Sequence, residues 1–498
     1  MTKGESDLSY CNAAPSSLSS SCFSREGRQE LPRQEQRWVQ YFSNYASAQA
    51  WFIAEKRLEI DVLGSIAPGA RASDKLSTQD QIRGTPNLFS RTLSCCNLLL
   101  SLLLLGLSPA PGAQTNPQGV HPEDSLSLRP NDALNRAAFD HFYNLDYDRA
   151  VQEFAQVLQR HPDDPFAVNH LLTVVLFREL YRMGALNTGE YANDSFIRTA
   201  HRPADPKVKQ QIQDLVQRAL QLEEKALNAN SKDVEALYAR GVTRAQFATY
   251  TAMVERAWFS ALRNALGARH DHERVLELSP AETPAKLIVG AHNYVMGSLP
   301  LALRASVTVL GIGGNKEKGL KYLDECAQGT GDTSTDAKIL LVLFLRREHR
   351  YQEALLIARG LLQSYPRDVL MALEEGNLLR AAGNNADAAA IYRRVWQGGR
   401  EGRYDGLHYE IAALSLGDLL RSQKDYANAV VAYEQVKEAA QPDPEVLQKA
   451  DLAAGEVYDV QGKRDLAIKK YQAVLATDPG TGFAGTANRH LKERYREE

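Results

Sequence analysis

The sequence predicts an all-α protein: a right-handed solenoid of stacked helical hairpins with an irregular helical segment in its middle. Three observations point there. Between Thr335 and Thr481 the chain repeats itself with a period of about 34 residues, the length of two helices and their turns. Small residues and tyrosines recur at fixed offsets within each unit, and Pro366 and Pro479 close the first and last of these units. One hairpin cannot bury its apolar face, whereas a stack of them shares a continuous core.

Composition fits a globular chain. Of 498 residues, 44% are hydrophobic and 24% charged, with a formal net charge of -3. So small a charge gives no reason to expect nucleic acid or an anionic membrane as partner through bulk electrostatics. Cys11, Cys22, Cys95 and Cys96 fall in the first hundred residues, and only Cys326 lies beyond. One thiol forms no intramolecular disulfide, and no CxxC pair is present to hold zinc, so no metal or other cofactor is expected.

Residues 1–90 show no sustained period. Ser16 to Ser24 is Ser-rich, Gly, Pro and Asn punctuate Ile66 to Leu88, and one short helix fits Arg37 to Glu59. The segment reads as disordered or as an over-extended gene model. Residues 91–113 join Arg91, a Leu-rich run from Leu98 to Leu107 and a small-residue exit at Gly112-Ala113. This is the pattern of a secretory signal peptide, and the run is shorter than the about 20 residues of a membrane span. It predicts a start nearer Leu88 and export to the periplasm or cell envelope. The alternative is a buried helix or membrane anchor, which would leave the protein in the cytoplasm.

The first hairpin is predicted over residues 131–164, with Ala138, Tyr147, Ala150, Phe154 and Pro162 on the repeat grid. Four more fill residues 335–481. Val342, Tyr351, Ala354 and Pro366 mark one. Gly376, Gly383, Ala388 and Tyr392 mark the next. Gly417, Tyr426, Ala429 and Tyr433 mark the third, and Gly455, Tyr458, Gly462, Ala467, Tyr471 and Pro479 the fourth. Small residues let the two helices approach, and the large aromatic fills the gap. Residues 482–498 follow as a capping helix. In these residues the chain resembles the tetratricopeptide repeat family. Two departures stand out: Glu375 where the family prefers Leu, and Leu345 in place of an aromatic. The Gly/Arg-rich insert Gln397 to Gly406 reads as a mobile loop between repeats.

Residues 165–334 are helical in pattern but irregular. Helices are expected at Ala167–Met183, Val208–Ala229, Val234–Gly267 and Ala285–Gly297, with Ser231-Lys-Asp233 capping the third. Ala219, Ala226, Ala239 and Gly241 suggest degenerate repeats. The stretch His292 to Gln328 is similar to repeat proteins of the fungal inclusion-body clearance family, which associate with the mitochondrial outer membrane; the kinship is one of architecture.

Several constellations bear on chemistry. Gly311 to Lys318 lacks the Ser/Thr and the preceding strand of a phosphate loop, and reads as a helix cap and turn. His270-Asp-His272-Glu273 lacks the i, i+4 spacing of a helical zinc site and reads as a solvated turn. Glu374 and Glu375 read as solvated charges. Cys326, beside Glu325 in a helical pattern, does not suit a reactive thiolate. No nucleophile–base pair is present, so no enzyme is predicted.

The family resemblance implies a concave groove lined by the first helix of each hairpin. Carried onto this chain, it assigns Arg346, Arg347, Asn377, Arg380, Asp418 and Arg421 to a peptide-binding surface. Arg forks bind carboxylates, so the expected partner is a protein or peptide, acidic in character, docked as an extended segment or helix. Glu456 and Asp459 in the last unit direct such a ligand towards residues 346–421. The alternative function is peripheral membrane association through the apolar segment 299–310, in which Arg304 argues against spanning.

Overall fold

The computed structural model describes residues 126, 129–189, 202–299, 304 and 312–497. The signal-like segment 91–113, the capping expectation at residue 498 and most of segment 299–310 lie outside them. Among the described residues there are seventeen α-helices and no strand. In order they are α1 Ala133–Tyr143, α2 Tyr147–Arg160, α3 Pro165–Arg182, α4 Pro206–Ala229, α5 Val234–Met253, α6 Trp258–Leu278, α7 Lys286–Gly297, α8 Lys316–Ala327 and α9 Asp332–Arg347. Then come α10 Tyr351–Ser364, α11 Val369–Ala381, α12 Asn385–Arg400, α13 Ile411–Ser422, α14 Tyr426–Gln435, α15 Pro444–Val460, α16 Arg464–Thr477 and α17 Gly482–Lys492.

Local chemistry starts many of these helices. Aspartates 132, 164, 205, 233, 368 and 443 accept hydrogen bonds from backbone amides of the first turn, satisfying donors the helix leaves open. Pro165, Pro206 and Pro444 sit in the first turn, where their missing N–H is no loss. The turns inside the hairpins are alike. Leu145, His349, Gly383, Lys424 and Gly462 all take positive φ, between 60 and 83°. At each, two backbone bonds close the helix end, as when Gly383 N donates to Arg380 O and Asn384 N to Leu379 O. The left-handed residue is glycine only twice, so the stacking imposes this turn even where the sequence carries a side chain.

Within the hairpins one packing device recurs. Tyr392, Tyr433 and Tyr471 stand sixteen residues after Gly376, Gly417 and Gly455, and a Cβ on those glycines would lie 2.4, 2.4 and 2.6 Å from the tyrosine rings. The bare Cα is therefore what admits the ring, and all three tyrosines are buried.

The first hairpin packs back onto the later ones. Tyr143 O–H is within hydrogen-bond distance of Asp332 O (3.0 Å) and Asp336 Oδ1 (2.9 Å), and its ring lies 5.0 Å from that of Tyr365. Arg367 N donates to Asn144 Oδ1 at 3.1 Å, and His408 N donates to Tyr181 Oη at 2.9 Å. Arg202 pairs with Asp443, which caps α15. These contacts run along successive inter-repeat loops, and one buried apolar cluster extends from Ala138 to Val457.

Four local expectations are corrected. The single helix Val234–Gly267 is two, broken at 254–257, where Arg256 takes φ 55° and Tyr250 O–H bonds Glu255 Oε1 at 2.9 Å. The break lets α5 and α6 fold side by side. The insert Gln397 to Gly406 is not a loose loop: its first four residues extend α12, Tyr404 and nearby Tyr409 are buried, and a Cβ on Gly399 would sit 2.1 Å from the Tyr409 ring. His270 to Glu273 is helical and not a solvated turn. Asp271 is buried between Arg240 (2.6 Å) and Arg244 (2.7 Å). The two ring nitrogens of His272 each lie 3.2 Å from a carbonyl, of Ala285 and of Tyr238, and burial pushes its pKa down to about 4, so the neutral ring donates to one of them. Glu374 and Glu375, finally, are both buried. Glu375 is held by Arg359 (2.8 Å) and Arg394 (2.7 Å), which explains a carboxylate where the repeat prefers Leu.

Candidate functional site

The six residues predicted for the groove sit on the first helices of three successive hairpins: Arg346 and Arg347 end α9, Asn377 and Arg380 lie on α11, and Asp418 and Arg421 on α13. Helix-to-helix stacking brings them into a ladder of charged and polar groups with four partners. Arg346 Nη1 donates to both oxygens of Glu374 on α11, at 2.8 and 3.0 Å. Asn377 Nδ2 donates to the same carboxylate at 3.2 Å, while Asn377 Oδ1 accepts from Tyr392 O–H at 2.8 Å. Arg421 Nη1 donates to Glu456 of α15 at 2.7 Å. Tyr433 O–H donates to Asp418 Oδ1 at 2.8 Å. The protein surrounding Asp418 raises its carboxyl above the ordinary range, against the pull of Tyr433, Arg380 and Arg421. Arg347 adds positive charge towards Glu348 and Tyr294.

Arg380 differs from its neighbours. It is exposed, and among the described residues no carboxylate is hydrogen-bonded to it; Asp418 acts on it only through the field. Of Asn377 and Arg380, one turn apart on α11, the amide is already engaged by Glu374 and Tyr392, and only the guanidinium is open to a ligand. Glu374, Tyr392 and Tyr433 join Glu456, which the repeat register had already placed in the last unit, and those three were not assigned to this surface from sequence. The tyrosines stood on the repeat grid, so their spacing could have marked them. Glu374 carries no such signal.

Other features are structural. Gly297, Gly314 and Gly319 serve close contact of α7 with α8: a Cβ on Gly319 would lie 2.5 Å from Tyr294 N, and Asn315 caps α8. Cys326 is buried, and burial pushes its thiol up to about 12. A cleft of about 340 Å³ between α4 and α5 is lined by Gln213, Gln217, Gln221, Glu224, Val216, Leu220 and Phe247. Among the described residues no group of three His, Cys, Asp or Glu could hold a metal, and no helix is long and apolar enough to cross a membrane.

No curated protein matches the chain. Solved structures similar to it include PilF of Pseudomonas aeruginosa, at 14% identity over 50% of this chain and 97% of that one, with a TM-score of 0.30. Human IFIT1, as a dimer with PPP-AAAA, matches at 14% identity over 72% and 80%, with a TM-score of 0.34. A tetratricopeptide repeat protein from Parabacteroides merdae matches at 14% over 72% and 96%, with a TM-score of 0.25. Residues 132–164, which hold the α1–α2 hairpin, match the model of the tetratricopeptide repeat family, whose repeats generally mediate contacts between proteins.

Proposed function

We propose that the protein is a non-enzymatic interaction scaffold that holds an acidic segment or helix of a partner protein against the first helices of hairpins α9 to α16. The observation that carries this reading is the state of Arg380. Its neighbours Arg346 and Arg421 are neutralised by Glu374 and Glu456, whereas Arg380 stands exposed on the same row. An exposed guanidinium on a rigid helix presents a carboxylate with a two-pronged donor at little ordering cost. Peptide arrays graded in Asp and Glu content, probed with the full chain, test the reading. The wild type retains acidic peptides. Arg380→Ala lowers retention about tenfold or more, the loss expected for one charge-assisted bond. Equal retention by the variant overturns the proposal.

The scaffold is further proposed to act after export to the cell envelope, on the strength of the Arg91 to Ala113 pattern. N-terminal sequencing of the native protein tests this. Peptides from residues 1–87 in the mature protein stand against it.

A further inference from the structure

Arg421 has more partners than the ladder requires. Beyond α17 the chain turns back in extended form, and residues 493–497 cross from α15 to the start of α14. Tyr495 N donates to Asp459 Oδ2 at 3.0 Å. The Tyr495 ring lies 5.4 Å from the Arg421 guanidinium, and its Oη accepts from Arg421 Nη2 at 3.0 Å. Glu497 completes the contact: one oxygen is 3.6 Å from Arg421 Nε, the other accepts from Tyr426 O–H at 2.6 Å. Arg494 reaches the carbonyl of Asp459. A backbone amide, an aromatic ring and a carboxylate two residues later are thus all read by α13 to α15. Those are the three handles by which a surface grips an extended peptide.

The receiving side is built for it. Asp459 is fully buried, and its carboxylate is already fixed by Arg464 (2.8 and 3.1 Å) and Tyr471 O–H (2.9 Å). It can therefore present an acceptor to Tyr495 N without moving. Arg421 is held by Glu456 at 2.7 Å, a contact that does not involve the segment. The incoming side is held only at its surface: Glu493, Arg494, Arg496 and Glu497 are exposed and Tyr495 is half-buried. A contact made by exposed side chains on a preformed site can be displaced without unfolding anything.

We infer that residues 493–497 are an intramolecular occupant of the groove at Arg421, and that a partner segment with an aromatic residue two positions before an acid competes for the same place. This rests on the groove reading above and adds to it a ligand chemistry and a self-occupied state. At the other end of the row, Arg346 also meets a piece of its own chain, the Thr188 carbonyl at 3.3 Å. Arg380, between them, has no such cover among the described residues.

The test uses the full chain and one probe, a fluorescent peptide of sequence KERYRE (residues 492–497) blocked at both ends. Binding is followed by anisotropy on the wild type, on Tyr495→Ala with Glu497→Gln, and on that pair with Arg421→Lys added. Lysine keeps a charge for Glu456 but loses the fork and the ring stacking. The double variant is expected to bind the peptide about tenfold or more tighter than the wild type, and Arg421→Lys to remove the gain. Hydrogen exchange at Tyr495 N is expected to be slow in the wild type and to speed up when peptide is added. Equal affinity for wild type and double variant overturns the inference, as does a gain that survives Arg421→Lys. The two proposals fail separately. If Arg380→Ala abolishes capture on the acidic array while KERYRE binds both chains alike, only self-occupancy falls. If KERYRE binds the double variant through Arg421 while Arg380→Ala changes nothing, only the Arg380 anchor falls.

Discussion

Replacing Arg346 by alanine is expected to lower the stability of the α9–α11 region by about 3 kcal/mol, because it strands a buried charge. Glu374 is fully buried and receives Arg346 Nη1 on both oxygens. Once the guanidinium is gone, the carboxylate keeps Asn377 Nδ2 at 3.2 Å and no cation in contact. Breaking a buried pair from one side costs roughly 3–5 kcal/mol, and the small exposure of the Arg346 side chain favours the low end. Arg380→Ala, on the same row but exposed, is expected to stay within about 0.5 kcal/mol of the wild type. Stacked repeats can unfold piecewise, so the assay is native-state hydrogen exchange at the amides of α9 and α11, supported by urea titration. A companion variant, Arg346→Met with Glu374→Met, removes both charges and should recover most of the loss. Two results would refute the reasoning: Arg346→Ala as stable as the wild type, or Arg380→Ala as damaging as Arg346→Ala. Either would mean that the ladder does not hold the hairpins together as its geometry implies.

Gly417→Ala places a Cβ 2.4 Å from the Tyr433 ring, whose hydroxyl is anchored on Asp418, and should cost about 1–3 kcal/mol in thermal or urea unfolding. Burial raises the carboxyls of Glu223 and Asp368 to about 7 and of Asp336 to about 6. Folding thus favours their protonated forms, so this contribution is complete below the ordinary carboxylate range and is lost as pH rises to about 7. Urea midpoints measured from pH 5 to pH 8 should therefore fall, and Glu223→Gln should flatten the profile. Asp368→Asn should do the same while keeping the cap on Met371 N. The Cys326 peptide should escape alkylation by iodoacetamide at pH 8 in the native protein and react fully after denaturation, because its thiol is buried and raised to about 12.

The hairpins were readable because their signals are local. A glycine and a tyrosine sixteen residues apart, an aspartate before a helix and a proline after one all act within a single hairpin. The break between α5 and α6 carried no such signal. Val254-Glu-Arg-Ala257 offers no glycine or proline, yet the chain turns there and the two helices pack side by side. The placement of the six predicted residues on first helices followed from the same grid, but their ion-pairing did not. The partners that decide it lie 28 residues away for Arg346 and Glu374, and 74 for Arg421 and Tyr495.

The sequence by itself determined the helical class and the repeating hairpin, and with them that the six predicted residues fall on the first helices of three hairpins, since these follow from spacing along one or two helices. Tertiary structure alone decided which charges are free. Glu374, Glu375, Asp271 and His272 look on paper like surface groups, and stacking buries all four. It also decided that the first hairpin closes against the later ones through Tyr143 and Asp336, 193 residues apart, and that residues 493–497 rest on Arg421. The physical reason is the same in each case. A charge takes its meaning from the nearest opposite charge and from the water it has lost, and both are set by the stacking of helices far apart in the chain.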